Sequence, residues 1–358
     1  MLRIRKFIDG EDEEVWIRIQ NEAYKEYEDF RPDTMEDMEI WKKSPNFDST
    51  GMFIAELDGK PVGAVNAYID RKRKEKMGFL RALGVVPEFR KRGMGRRLAE
   101  KAIESLKERG MESVQGWTRE NKVACKSLLE SMGFNLIRVF STMRRNLRIP
   151  DNIGEHKKLK MREMKMNMDD IKLLNWLSNE TFKEHFNFRP DTVEETKFWI
   201  EEKPWCDILG VFFSYLNDEP AGYVWAGIDS KFIKHKGIKR GWIMSIGVLK
   251  PLRIKGIGTS LMQQGMEFLK SKGMTDVELG VDDSNPTKAI ELYKKVGFKV
   301  VFKDLTYLRK IEWFWGNTLA PLTTFVDNTL FISIVRKANK DEERTRQNII
   351  CGDKKTFE

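Results

Sequence analysis

Two short, basic, glycine-punctuated stretches recur in the chain: Arg90-Lys91-Arg92-Gly93-Met94-Gly95-Arg96 and Arg253-Ile254-Lys255-Gly256-Ile257-Gly258-Thr259. Each lies between an apolar run that reads as a strand and a long amphipathic stretch that reads as a helix. Glycine lets the backbone approach a ligand closely and take turns barred to other residues. The start of the following helix offers unpaired N–H groups and a partial positive charge. Together these make an anion cradle suited to a pyrophosphate. An ordinary helix-starting loop has the same outline, so one such turn leaves the ligand open. A dinucleotide fingerprint needs a third glycine and an acid about 20 residues on. A phosphate loop needs lysine and a hydroxyl residue after its second glycine. Both are missing here.

The elements that must hold these turns also come in duplicate. Phe30-Arg31-Pro32-Asp33-Thr34 returns unchanged as Phe188-Arg189-Pro190-Asp191-Thr192, and Trp41 pairs with Trp199, both at an offset of 158. Ile69-Asp70 matches Ile228-Asp229, and Gly133-Phe134 matches Gly297-Phe298 at 164. A slow drift in offset is what a few loop insertions produce, and a repeat of this period is one domain long. The expected organisation is a first domain over 1–147, a linker over 148–159, a second domain over 160–310 and an unmatched tail over 311–358. Within a unit, strands alternate with helices. In the second, Trp242–Val248 reads as a strand, Gly258–Ser271 as a helix, Val277–Val281 as a strand and Ala289–Val296 as a short helix. The fold class is mixed α/β, a largely antiparallel central sheet flanked by helices.

Arg-x-x-Gly-x-Gly after an apolar strand resembles the acetyl-coenzyme A motif of the GCN5-related N-acetyltransferase (GNAT) superfamily. The downstream run Leu279-Gly280-Val281-Asp282-Asp283-Ser284-Asn285-Pro286, followed by Ala289, Leu292-Tyr293 and Gly297-Phe298, is similar to that family's second signature. The likeness covers both units and resembles the tandem, two-domain members, among them the mycothiol synthase-like proteins. It implies acetyl-CoA as co-substrate, with backbone groups around Ile246 and Val248, and Leu83 and Val85, pairing with the pantetheine arm. Backbone N–H groups of Arg253, Ile254, Lys255, Gly256, Ile257, Gly258 and Thr259 would hold the pyrophosphate. So would those of Arg90, Lys91, Arg92, Gly93, Met94, Gly95 and Arg96. Asn285 and Asn121 fall where the family places a polar residue near the cofactor arm.

Tyr293 falls where the family commonly places the acid that protonates the departing thiolate. A phenol near pKa ~10 can donate to a thiolate whose conjugate acid sits near ~8.5, given some tuning. A packed aromatic with its hydroxyl at the surface is the plainer alternative. Tyr293 lies eight residues after Asn285, and eight after Asn121 is Leu129, which cannot donate a proton. The second unit is therefore the expected catalytic one, with water as the acid of the first unit the alternative. Family members often place a glutamate on the strand before the cradle as base, but neither strand carries a carboxylate there. Asp282 and Glu278 are the candidates, Asp282 preferred as nearer the cofactor arm; a solvated or capping acid is the alternative for each.

The rest of the composition bounds this reading. With 358 residues, 41% hydrophobic and 33% charged, each half can bury a core. Cys125, Cys206 and Cys351 lie far apart, and the N-terminus lacks an apolar signal core, so a reducing, cytoplasmic setting is expected. His156, His185 and His235 are scattered and suggest no metal site. A net charge of +9 allows nucleic acid as a partner, but no helix-turn-helix, zinc-finger or RNA-recognition signature is present. The basic stretches Arg71–Lys76 and Lys231–Arg240 read best as solvated hairpin tips. Phe-Arg-Pro-Asp-Thr reads as a helix start capped by Asp or Thr, with Arg31 and Arg189 near the acceptor as the second possibility. The apolar tail is too interrupted for a membrane span. The reading that results is acetyl transfer from acetyl-CoA to a primary amine in a ternary complex, a small molecule rather than a protein N-terminus. A non-catalytic acyl-CoA-binding regulator is the alternative. Oligomeric state stays open.

Overall fold

The structure, a computed structural model, describes residues 1–150, 159–287 and 289–312. The first unit runs β1 (Leu2–Lys6), α1 (Glu13–Tyr24), α2 (Met35–Lys42), β2 (Met52–Leu57), β3 (Lys60–Ile69) and β4 (Met77–Val85). It continues through α3 (Met94–Glu108), β5 (Ser113–Arg119), α4 (Val123–Ser131) and β6 (Asn135–Asn146). The second repeats this order as β7 (Leu159–Glu163), α5 (Met168–Phe182), α6 (Val193–Glu201), β8 (Ile208–Leu216) and β9 (Glu219–Ile228). One extra helix, α7 (Ser230–Lys236), precedes β10 (Arg240–Val248), α8 (Ile257–Ser271), β11 (Asp276–Asp282), α9 (Ala289–Lys295) and β12 (Lys299–Lys310). Most of the expected linker and the tail from 313 onward lie outside the described residues. Ile311, placed in the tail by sequence, is buried in the core of the first unit.

All twelve strands form one sheet, ordered β1-β2-β3-β4-β5-β12-β6-β11-β10-β9-β8-β7. Only β4 with β5 and β10 with β11 run parallel, as the right-handed crossovers through α3 and α8 require. The closing strands are exchanged. β12, the last strand of the second unit, pairs with β5 of the first, and β6 pairs with β11 of the second. The cores follow: Leu305, Tyr307 and Ile311 pack into the first unit, and Met143 and Leu147 into the second. Each such side chain contributes roughly 1.5–3 kcal/mol by burial, so the exchange is a large part of each core.

Charges in the strands favour this pairing over the unexchanged one. Asp304 lies opposite Arg119, 3.5 Å from its Nε, and Asp282 is 2.8 Å from Arg138. By the repeat, Asp304 is the counterpart of Phe140, the residue that Asp282 faces. Without exchange, Asp282 would face Asp304 and lose Arg138. Like charges directly opposite destabilise a strand pair.

The repeated Phe-Arg-Pro-Asp-Thr segments start α2 and α6. Thr34 and Thr192 are the N-caps, each in a capping box with Asp37 or Glu195. The arginines reach across to the other unit: Arg31 Nε donates to Asp229 at 3.0 Å, and Arg189 Nε to Asp70 at 2.7 Å. Lys231 lies 3.0 Å from Asp37, Lys72 lies 3.4 Å from Glu195, and Arg73 donates to the Asn187 carbonyl at 2.6 Å. The basic segments expected as solvated tips are thus inter-unit clamps in part, because each carries an acid or base that matches the opposite capping box. Lys231 is moreover in α7, not in a loop.

Candidate active site

Both cradles have the conformation their glycines allow. Gly256 is the N-cap of α8 with φ +82°, and Gly93 is the N-cap of α3 with φ +78°. Two residues earlier, Ile254 and Lys91 are also left-handed, at φ +65° and +60°. Alternating left-handed residues turn successive N–H groups toward one concavity, which is an anion nest. The first helical bond in α8 runs from Ser260 N–H to Gly256 C=O, so the N–H groups of Ile257, Gly258 and Thr259 have no intrahelical partner. The side chain of Arg253 points away from the nest. Its Nε donates to the Val248 carbonyl at 3.1 Å, Nη2 to Thr181 O at 3.0 Å, and Nη1 pairs with Glu184 at 2.8 Å. Arg90 does the same with Val85, Ala23 and Glu26. These arginines brace the cradle, leaving their backbone to meet a ligand.

A groove leads from each cradle into the sheet. β10 pairs with β11 only from Arg240 to Trp242, although it stays paired with β9 as far as Val248. The parallel strands therefore part, and a cavity of about 420 Å³ opens between Ile243–Val248 and Leu279–Asp282. Ile246, Val248, Arg253, Ile254, Gly256, Gly258, Thr259, Asp282, Asn285 and Tyr293 all line it; Lys255 and Ile257 do not. An unpaired strand edge of this kind accepts an extended amide-bearing chain as an added strand. β4 and β5 part in the same way beyond Phe79 and Gln115, opening about 700 Å³. Leu83, Val85, Arg90, Lys91, Gly93, Met94, Gly95, Arg96 and Asn121 line that groove; Arg92 does not.

The grooves differ where chemistry would occur. Tyr293 is buried between α9 and the sheet, 6.1 Å from the Phe298 ring centroid, and desolvation pushes its phenol up to about 12. Among the described residues its hydroxyl makes no hydrogen bond. In the first unit Leu129 is packed against Gly116 instead. There, too, the Tyr24 hydroxyl donates to the Leu83 carbonyl at 3.1 Å, on the strand expected to pair with a ligand. Phe182 occupies Tyr24's place in the second unit and has no hydroxyl.

Both carboxylate oxygens of Asp282 are engaged, one by Arg138 and the other by the Ser284 N–H at 2.9 Å. Glu278 does not reach the groove: it is fully buried, 2.8 Å from Arg240 and bonded to Arg144 at 2.6 Å. The Asn285 side-chain Oδ1 accepts from Thr287 N–H and Oγ1, forming a turn ahead of α9. His185, which the sequence offered no reason to single out, lines the second groove and stacks 4.2 Å from Phe182. Burial lowers its pKa, with Arg253 adding to the effect, so its ring is neutral at pH 7.

A third cavity, about 580 Å³, lies between the units. Met244 and Ser245 line both this chamber and the second groove, at the irregular step in the β9–β10 register between Ile243 and Ser245. A bulge re-aims side chains in this manner. The Tyr223 and Ser245 hydroxyls are 2.6 Å apart there. Trp41, Trp199 and Trp205 wall the other side, with centroid separations of 4.7–5.9 Å. Among the described residues no group of three His, Cys, Asp or Glu side chains is placed to hold a metal, and no helix is long and apolar enough to cross a membrane.

Comparison with known proteins gives the same picture. The sequence profile of the "Acetyltransferase (GNAT) family" matches residues 16–134 and 171–298. A mycothiol acetyltransferase of Renibacterium salmoninarum is 27% identical over 235 residues, spanning 63% of this chain and 65% of its own length. Another, from Thermobispora bispora, is 33% identical over 137 residues, 37% of this chain and 46% of its own. The chain thus aligns with less than two thirds of these relatives. Among solved structures, a tandem GNAT protein from the clavulanic acid biosynthesis pathway superposes with a TM-score of 0.66 at 14% identity, covering 87% of this chain and 98% of that one. A GCN5-related N-acetyltransferase from Sphaerobacter thermophilus gives 0.62 at 20% identity, over 86% and 95%. With its cradle and parted strands present twice and the family profile matching both halves, this chain belongs to the acetyltransferase (GNAT) family.

Proposed function

We propose that the chain is an N-acetyltransferase that moves an acetyl group from acetyl-CoA, held in the second groove, to a primary amine held in the inter-unit chamber. The observation that carries this reading is the shared wall at Met244 and Ser245, where chamber and groove meet beside the parted strands. An amine in one and a thioester in the other would be brought together there, which supplies proximity. The chamber's size, about 580 Å³, suits a small molecule. The mycothiol acetyltransferase relatives point the same way.

The amine nitrogen attacks the thioester carbonyl carbon, the carbon–sulfur bond breaks, and an amide and a thiolate result. Tyr293 gives its proton to the departing sulfur. Among the described residues its hydroxyl makes no competing bond; burial pushes the phenol up to about 12, so it stays protonated at neutral pH, and its transfer to sulfur requires the bound thioester to stabilise the phenolate that forms. The amine's own proton must go to a base. Asp282 stays a candidate, but it can accept only by giving up Arg138 or the turn at Ser284. The ring of His185, neutral at pH 7 and without a hydrogen bond among the described residues, supports it as the acceptor instead. Cys125 and Cys206 have thiols raised by burial, so no covalent acyl-enzyme is invoked. The first groove is read as a binding site without its acid.

Calorimetric titration of acetyl-CoA into the wild type, Gly93→Glu and Gly256→Glu, with thiol release followed over a panel of primary amines, tests the reading. Amine-dependent thiol release that survives Gly93→Glu and is lost in Gly256→Glu is the expected result. Binding without transfer to any amine would favour the regulatory alternative, and no binding at all would remove acetyl-CoA from the account.

A further inference from the structure

The chamber has an unbalanced charge on one wall. Arg81 of β4 lines it and is exposed to it, yet burial lowers its guanidinium pKa, as expected for a side chain facing an enclosed space. Its guanidinium stacks 3.8 Å from the Tyr68 ring centroid and 5.5 Å from that of Phe79. Among the described residues no carboxylate lies within ion-pair distance of it. The acids nearby are taken: Asp70 and Glu195 pair with Arg189 at 2.7 and 2.6 Å, and Asp191 pairs with it at 2.8 Å.

Two further polar atoms of the first unit are buried without a hydrogen-bond partner, Asn66 Oδ1 and Arg73 Nε, the latter 3.5 Å from the Asp70 carboxylate; Trp225 Nε1, on β9 of the second unit, is a third across the chamber. Buried polar atoms left unpaired in a cavity are costly unless a ligand or water meets them. Asn66 faces Arg81 across the β3–β4 ladder, so the donors and the acceptor share one patch. In the second unit the residue equivalent to Arg81 is Met244. At this register position the two halves therefore differ, β4 bringing the Arg81 guanidinium to the chamber and β10 the Met244 thioether.

We propose that Arg81 reads an oxyanion on the acceptor, so that the enzyme's substrate is an amine carrying a carboxylate or phosphate group. This rests on the chamber being the acceptor site. A guanidinium stacked on an aromatic face keeps its edge N–H groups available, and that fork matches a carboxylate or phosphate in a bidentate way. The anion would sit against the first unit while the amine faces Ser245 in the second. The first unit is then the specificity-determining half of a site whose chemistry belongs to the second.

The test is direct binding, followed by quenching of the chamber tryptophans, with two matched pairs of acetylated probes. One pair is N-acetylleucine and its amide; the other is N-acetylethanolamine phosphate and N-acetylethanolamine. The anionic member of at least one pair is expected to bind about 10- to 100-fold more tightly to the wild type, the scale of a charge-assisted hydrogen bond. The favoured pair tells carboxylate from phosphate. The ratio is expected to fall to near one in Arg81→Met, which copies the second unit's residue, and to persist partly in Arg81→Lys. No discrimination within either pair, or discrimination that survives Arg81→Met, overturns the proposal. Neither outcome depends on transfer, so a failure here is distinct from failure of acetylation itself.

Discussion

Trp41 packs edge to face against Trp199 with ring centroids 5.9 Å apart, and the two are each other's counterparts in the repeat. A residue that touches its own counterpart lies on the axis relating the two halves, as in an isologous dimer. The ion pairs around it obey the same symmetry: Arg31 with Asp229 mirrors Arg189 with Asp70. One chain thus carries the contact surface of a twofold pair.

Arg189→Met removes the shortest ion pair of both Asp70 and Glu195, whose side chains are only 7% and 2% exposed, leaving Arg73 at 3.5 Å from Asp70 and Lys72 at 3.4 Å from Glu195. Removing one partner of a buried ion pair costs about 3–5 kcal/mol, and the two cations that remain set the expectation at the low end, about 3 kcal/mol. A drop of that size in unfolding free energy, measured by denaturant titration, is expected. A change under 1 kcal/mol would mean that water replaces the guanidinium.

The capping acids make the interface acid-sensitive. Asp37 is held at about 2 by Thr34, Arg31 and Lys231 despite burial, and Glu195 at about 2 by Arg189, Asn46 and Thr192. A carboxylate depressed in the folded state contributes fully above its unfolded pKa and is lost as pH falls towards the folded one. Thermal stability is therefore expected to fall between about pH 4.5 and 2, with Glu195→Gln flattening that part of the curve.

Tyr293→Phe keeps the ring against Phe298 and deletes only the hydroxyl. If the phenol protonates the leaving thiolate, kcat should drop by about 10²–10⁴ with little change in the KM for acetyl-CoA. Equal kcat values would make Tyr293 a packing residue and leave the thiolate to water.

Tyr24→Phe acts on the other groove. It frees the Leu83 carbonyl that the tyrosine hydroxyl occupies, matching Phe182 in the second unit. Acetyl-CoA is expected to bind the first groove several-fold more tightly, the scale of one hydrogen bond. Calorimetry on the Gly256→Glu background isolates that site, and unchanged affinity would show that the bond does not compete.

His185→Gln addresses the base. Because burial sets the imidazole pKa below its usual value near 6.5, wild-type kcat/KM is expected to show an acid limb below pH 6.5, and the variant to be slower and to lose that limb. A variant with an unaltered profile would return the proton to Asp282.

Much of this was legible in the chain because it is local. The glycines of the cradles, the capping threonines and the apolar runs of β10 and β11 speak through nearest-neighbour sterics and periodicity. The exchange of β6 and β12 was not legible, since both strands have suitable patterns for either partner. What separates the pairings is the placement of Asp282, Arg138, Asp304 and Arg119 across residues far apart in sequence. His185 looked ordinary for the same reason: its meaning comes from the groove beneath it. Basic runs such as Arg71–Lys76 looked solvated because most of their partners are distant in sequence: Asp48 and Glu112 in the same unit, and Glu195 and the Asn187 carbonyl in the other.

The exchange of closing strands has a genetic consequence. In a duplicated gene, a copy that has lost its acid is ordinarily free to decay and be deleted. Here deletion of the first copy would strip the second of β6, with Met143 and Leu147 from its core, and of the chamber's opposite wall. Selection on one half is therefore selection on both. On the proposed division of labour, the first half, with Leu129 in the place of the acid, would persist as an indispensable subunit that happens to share a reading frame with its partner.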